Sequence, residues 1–233
     1  MFKLKYLLRC RVFYSEYKAR SNFLPVPQSA FTYTTQSKEP DMNVLNTIKS
    51  SFSSSGLETP TYTEGKKQDD VQERRYEAAK WVSTSVEGME LKKAQSEGFG
   101  RLFKYITGNN KPGTKVDMTA PVATRINPGA GPNCENTFTV SFYIPSKHQA
   151  DPPEPSDPKV FIEEWPERTI LCQGFGGFAK EETWLSHAKT LTGIVEERGE
   201  KVHSNFWFTA GYNSPFQMFG RTNEVWFVKD PQS

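Results

Sequence analysis

Several features that mark large protein classes are missing from this chain. Its apolar runs are only a few residues long, far short of the ~20 needed to span a bilayer as a helix. Its three cysteines, Cys10, Cys134 and Cys172, are odd in number and far apart. They make neither a disulfide scaffold nor the close pairs of a zinc site, and they read as reduced thiols. A surplus of one charge is also lacking: 29 Lys plus Arg face 27 Asp plus Glu, a net +2. That balance excludes a nucleic-acid binder that works through global charge. No GxGxxG or Walker motif is present. Gly174-Phe-Gly-Gly177 precedes a helix without either spacing and reads as a tight turn. His148, His187 and His203 are not spaced as a metal pair, so no metal site is predicted. Nothing marks an activated nucleophile with a base beside it, and the expectation is a protein without catalytic activity.

Apolar content is also low. Counted with Gly in place of Tyr it is about 39%, against ~45–50% in an ordinary globular chain. The dilution lies before residue 71. Between residues 21 and 70, Ser and Thr outnumber apolar residues, and Ser51, Ser53, Ser54 and Ser55 sit together. Such a segment buries too little to offset its ordering entropy, so residues 1–70 are predicted to be a mostly disordered extension. A short helix over Met42–Phe52 is compatible with the spacing of its apolar residues. Residues 1–20 are basic, amphipathic and nearly free of acids. Arg9 and Arg11 interrupt any secretory apolar core. This start suits either a mitochondrial presequence or a cytoplasmic tail without targeting value.

What the chain does have is a repeat. Ala79–Val86 alternates and is rich in β-branched residues, so it reads as a strand. Leu91 to Ile106 carries apolar residues at helical intervals, and Gly108-Asn109-Asn110 ends it. Strands are then predicted over Lys115–Ile126 and Thr137–Ile144. The order recurs as a strand at Thr169–Gln173, a helix from Lys180 to Arg198, and strands at Phe206–Tyr212 and Glu224–Lys229. Met118-Thr-Ala-Pro121 echoes Phe208-Thr-Ala-Gly211. The segment between the halves is rich in proline and reads as an exposed crossover. Two such units make one α+β domain over residues 71–233, with a sheet or distorted barrel carrying two helices.

Aromatic residues are abundant: 17 Phe, 9 Tyr and 5 Trp, 13% of the chain. Two readings stand for them. They form the core, or some of them line a groove for a flat apolar ligand.

Ala79-Lys-Trp-Val-Ser-Thr-Ser-Val-Glu87, Met118-Thr-Ala-Pro-Val122, Tyr143-Ile-Pro-Ser146, Thr209-Ala-Gly-Tyr-Asn-Ser-Pro215 and Asn223-Glu-Val-Trp226 together resemble the SOUL family of heme-binding proteins. The likeness runs from Val71 to Lys229. It implies a pseudo-twofold pair of strand–helix–strand–strand units forming a distorted antiparallel barrel flanked by two helices. It also implies a non-enzymatic carrier or buffer for heme or another tetrapyrrole, held in an exposed apolar groove. Carried over, that groove is Phe99, Leu102 and Phe103 on the first helix with Phe216, Gln217 and Met218 on the loop before the last strand. Phe99, Leu102 and Phe103 stand at i, i+3 and i+4 and so share one helix face. Some relatives are associated with an iron-ligating histidine at the position of Arg75. A permanent cation does not ordinarily ligate iron, so Arg75 is expected to pair with a propionate. Ser96 and Gln217 stand where other relatives place basic residues, which implies mostly apolar binding of modest affinity. Family members are also linked to mitochondrial permeability change and cell death through a helix that docks to an anti-apoptotic partner. The matching stretch is Leu191–Val202, whose apolar face would have to be exposed.

Overall fold

The computed structural model describes residues 56–129, 134–214 and 217–231. The presequence in 1–20, the helix over Met42–Phe52, Cys10 and Phe216 lie outside the described residues.

Two strand–helix–strand–strand units follow each other along the chain. The first is β3 (Ala79–Gly88), α1 (Leu91–Ile106), β4 (Val122–Asn127) and β5 (Asn136–Tyr143). The second is β7 (Arg168–Gly176), α3 (Glu181–Glu197), β8 (Trp207–Gly211) and β9 (Thr222–Val228). β1 (Tyr62–Gln68) and β2 (Val71–Tyr76) precede them. The helical turn α2 (Ser146–Gln149) and β6 (Val160–Trp165) lie between them. All nine strands form one sheet in the order β1-β2-β7-β9-β8-β4-β5-β3-β6, with every neighbouring pair antiparallel. The units meet at the β4–β8 pair, where Thr124 stands opposite Thr209.

The sheet is strongly curled. β6 is four places from β8 in the strand order, which is ~19 Å in a flat sheet. Yet the Trp165 ring on β6 lies 5.2 Å from the Phe208 ring on β8. Only a half-barrel brings them together. Its concave interior is filled by Tyr76, Trp81, Trp165, Phe208 and Trp226, all buried. The opposite face carries α1 and α3. Trp184, Ala188, Leu191 and Val195 of α3 pack on Leu171, Val225 and Phe227. Leu102, Phe103, Tyr105 and Ile106 of α1 pack on Val82, Val140 and Phe142.

The repeat and the α+β half-barrel with helices on one face are as the sequence implied. Three strands were not legible. β1 and β2 carry the sheet back to Tyr62, ahead of the expected start at residue 71. β1, Tyr-Thr-Glu-Gly-Lys-Lys-Gln, is almost wholly exposed and holds through its ladder to β2, so it lacks alternating hydrophobicity. β6 lies within the proline-rich crossover. That crossover is also tied down, because the buried Tyr105 hydroxyl donates to the Pro153 carbonyl at 2.7 Å. β4 starts only at Val122, since Pro121 supplies no N–H for a ladder. The Met118–Pro121 echo therefore falls outside the strand.

α1 approaches the sheet closely at Gly98. A Cβ built there would lie 2.5 Å from Val140 Cγ2 and 2.8 Å from Val140 Cβ. Valine is stiff, so the helix would have to lift. Gly98→Ala is expected to lower stability by ~1–3 kcal/mol despite the better helix propensity of alanine. Urea denaturation measures this. Combining it with Val140→Ala should cost less than the two single changes added. A Gly98→Ala protein at least as stable as the parent would refute the close-packing argument.

Candidate functional site

Near the β4–β8 pair, the Gln95 side chain of α1 donates to Thr209 Oγ1 at 3.1 Å and Thr124 Oγ1 at 3.4 Å. One turn further, Phe99 stacks on Phe103 at 5.7 Å and meets Phe142 edge-on at 5.3 Å. Phe142 stands opposite Val122, and Val122 opposite Gly211, where β8 runs into the β8–β9 loop. α1 and this loop therefore border one stretch of sheet.

The loop is held by polar contacts while Met218 and Phe219 face solvent. Arg221 Nη1 donates to the Ser214 and Gln217 carbonyls at 2.7 and 2.9 Å. Gln217 Nε2 donates to the Phe219 and Gly220 carbonyls at 2.9 and 3.1 Å. Asn213 Oδ1 accepts from the Thr222 N–H at 2.5 Å. The Arg221 guanidinium also lies 4.7 Å from the centre of the Phe178 ring. Met218 is 64% exposed, Phe219 87% and Phe178 56%. Exposed large apolar side chains gathered like this mark a binding surface more often than chance placement.

The expected site residues separate in the structure. Phe99 is half-buried at the rim of the α1 stripe. Leu102 has no exposed surface and Phe103 almost none, so both belong to the core beneath the helix. The buried stripe of α1 is centred on Leu102, and only its edge at Phe99 reaches outward. Gln217 shapes the loop and Met218 is presented by it. Arg75 lies apart on β2, which β7, β9 and β8 separate from β4. It already has a carboxylate partner, Glu167 Oε1 at 2.6 Å, and that bond raises its pKa. Phe178, Phe219 and the bracing role of Arg221 were not readable from spacing, because they depend on contact between two loops.

The apolar face of α3 is closed to a partner. Leu191 and Val195 are inaccessible and Ile194 packs against the same cluster. Arg198 caps that end, pairing with Asp69 Oδ2 at 3.0 Å. This packing removes the exposed face that docking to an anti-apoptotic protein requires.

These residues carry a known signature. A family model described as SOUL heme-binding protein matches residues 57–228. The chain belongs to the SOUL heme-binding protein family. Human heme-binding protein 2 is 44% identical over 156 residues, covering 67% of this chain and 76% of that protein. Heme-binding protein 1 of Xenopus laevis is 38% identical over 161 residues, covering 68% and 83%. A crystal structure of the EcmrR C-terminal domain aligns with a TM-score of 0.52 at 12% identity, covering 72% of this chain and 98% of that one. At that identity the likeness is one of fold.

Within the concave face of this SOUL domain is a buried polar cluster that the sequence did not announce. Arg74 grips Glu224 with two hydrogen bonds, Nη1–Oε2 at 2.9 Å and Nη2–Oε1 at 2.8 Å. The Tyr212 hydroxyl and the Trp226 indole N–H both donate to Glu224 Oε2, at 2.6 and 2.7 Å. Burial opposes the Arg74 charge, but the bonds and field of Glu224 override it and raise its pKa. Burial, then the Glu224 charge, pushes the Tyr212 phenol up, so it remains a donor. The one sequence signal was an acid directly before the apolar run Val225–Val228 of β9. Arg74→Met would leave Glu224 buried without its counter-charge and should cost ~3–5 kcal/mol in urea denaturation. The double change Arg74→Met with Glu224→Leu should be milder than Arg74→Met alone. A loss under 1 kcal/mol, the range of exposed pairs, would contradict this arrangement.

Cys172 touches the same cluster, and its thiol lies 3.1 Å from the Gln72 carbonyl oxygen. Burial, with the Glu224 charge added, raises its pKa to about 12. At pH 8 its thiolate is about one part in ten thousand, and the sulfur is covered. Cys134 is exposed. Brief N-ethylmaleimide treatment at pH 8, mapped by mass spectrometry, should modify Cys134 and spare Cys172 until urea is added. Equal labelling of both would show that the concave face opens freely.

Proposed function

We propose that this SOUL protein binds heme or a related tetrapyrrole in the apolar groove between α1 and the β8–β9 loop, as a carrier or buffer and without catalysing a reaction. The observation that carries the reading is the exposure of Met218, Phe219 and Phe178 on loops braced by Arg221, alongside α1 and its Phe99. A porphyrin ring offers two flat apolar faces. Covering each of these side chains is worth ~1.5–3 kcal/mol at full burial, enough together for micromolar affinity. The names of the relatives, heme-binding protein 2 and heme-binding protein 1, point to the same ligand class.

The residues present fit such a group in one respect more than another. The apolar contacts are ready, and Arg221 has no carboxylate partner among the described residues, so it can receive a propionate. Arg75 is occupied by Glu167 and stands away from the groove. Heme, when bound, supplies the conjugated ring and iron seen as a Soret band. Phe99 and Phe219 supply faces for the ring, and Gln217 and Arg221 keep the loop in shape beneath Met218.

Hemin titration followed by the Soret band and tryptophan quenching should show saturable one-to-one binding at micromolar concentration. Met218→Asp with Phe219→Asp should weaken it at least tenfold, and Phe99→Asp by a similar factor, with unfolding curves that remain cooperative. Wild-type affinity in the double variant would remove the groove from the proposal. No saturation below about 100 μM would remove the ligand class.

A further inference from the structure

The groove has a second candidate occupant in the chain itself. The strap that leads into β1 is fastened beside it. Leu57 packs on the cluster beneath α1, against which Phe99 and Val122 also pack. Glu58 bridges to Thr119, just before β4, and its carbonyl accepts the Ala120 N–H at 2.9 Å. The Glu58 Oε1 accepts the Ser146 N–H at 2.7 Å. Gly56, with φ +86°, turns the chain immediately before this anchor and stands in open space. The chain upstream of residue 56 therefore leaves the domain next to the half of α1 that carries Phe99 and Phe103.

Upstream, Leu45, Ile48 and Phe52 stand at i, i+3 and i+7, with Met42 and Val44 beside them. Asn43, Asn46, Thr47 and Ser50 fall on the opposite side of the same helical projection. A helix this short is marginal in water and needs a surface to form. Over residues 42–52 it would be ~16 Å long, and the 16 residues of α1 run ~24 Å, so it fits alongside. Residues 53–56 reach up to ~14 Å when extended, enough to lay it on the groove. The groove offers apolar partners in Phe99, Met218 and Phe219, the last two 64% and 87% exposed. A segment on so short a tether acts at an effective concentration on the order of millimolar, an advantage that a second copy or a separate peptide lacks.

We infer that residues 42–52 fold back as an amphipathic helix onto the groove between α1 and the β8–β9 loop and compete there with the tetrapyrrole. The inference rests on that groove being the ligand's. Leu45, Ile48 and Phe52 cover Phe99, Met218 and Phe219, and the ligand enters when the segment lifts. A cap seated about nine-tenths of the time lowers the apparent affinity for the ligand about tenfold.

Photo-crosslinking of the full chain, with p-benzoylphenylalanine in place of Ile48, tests the cap without any ligand. Mass spectrometry should find crosslinks within one chain to the peptides that carry Phe99 or Met218 and Phe219. Crosslinks between chains only, which would make a second copy the occupant, or crosslinks scattered over other faces, would overturn it. Hemin titration tests the competition. The full chain with Leu45→Asp, Ile48→Asp and Phe52→Asp should bind hemin about tenfold more tightly than the parent. These changes lie outside the core, so unfolding curves should coincide with those of the parent. Unchanged hemin affinity would overturn the shared site. If neither chain binds hemin, the tetrapyrrole reading fails, and the crosslinks alone decide the cap.

Discussion

The packing of Trp165 against Phe208 sets the shape on which the rest of the protein depends. An edge strand and a central strand meet across the interior only if the sheet curls through four strand spacings. Once it curls, one face becomes a closed aromatic interior and the other a convex floor for two helices. Trp81 stacks on Trp165 at 4.1 Å, and Tyr76 meets Trp226 at 5.5 Å, so both flanks of the sheet are drawn in. The Arg74–Glu224 pair, with Tyr212 and Trp226 as further donors to the carboxylate, places a bidentate charge pair inside that interior. Such a pair adds directional constraints where aromatic packing alone is forgiving.

The two faces then take on different chemistry. On the convex side, α1 descends onto β5 because Gly98 offers no side chain to hold it off. That approach buries Leu102 and Phe103 and leaves Phe99 at the rim. The β8–β9 loop, pinned by Arg221 and Gln217, sets Met218 and Phe219 in solvent. On the concave side charged groups are set into an aromatic wall, with Arg74 held by Glu224 and Arg168 over the Trp165 ring. One half-barrel thus presents an apolar rim on its outside and an aromatic interior with embedded charges within.

Much of this was legible in the sequence, for identifiable reasons. The duplicated unit could be read because α1 and α3 bury one face each, which leaves a period of 3.6 in the chain, while β3, β5 and β9 are short runs rich in β-branched and aromatic residues, buried on both faces over most of their length. β1 could not, because every side chain after Tyr62 in it is exposed and its ladder leaves no trace in hydropathy. β6 was hidden by its prolines on either side. For the groove, helical spacing correctly grouped Phe99, Leu102 and Phe103 but could not say which of them faces out; that depends on how α1 is rolled on the sheet. Arg75 was assigned a ligand role from alignment alone, and its partner Glu167 comes from the far end of the crossover, beyond the reach of local reasoning. Arg74, one residue earlier, turned out to be the arginine that faces the interior, a distinction set by strand alternation.

The central claim is that the tetrapyrrole rests on the convex rim. It is tested most directly by amide chemical-shift mapping of the 15N-labelled protein with diamagnetic protoporphyrin IX. The account predicts shifts concentrated around residues 95–99, 178 and 213–221, with the concave strands unmoved. Shifts centred on Trp81, Trp165 and Trp226, with the β8–β9 loop silent, would contradict it.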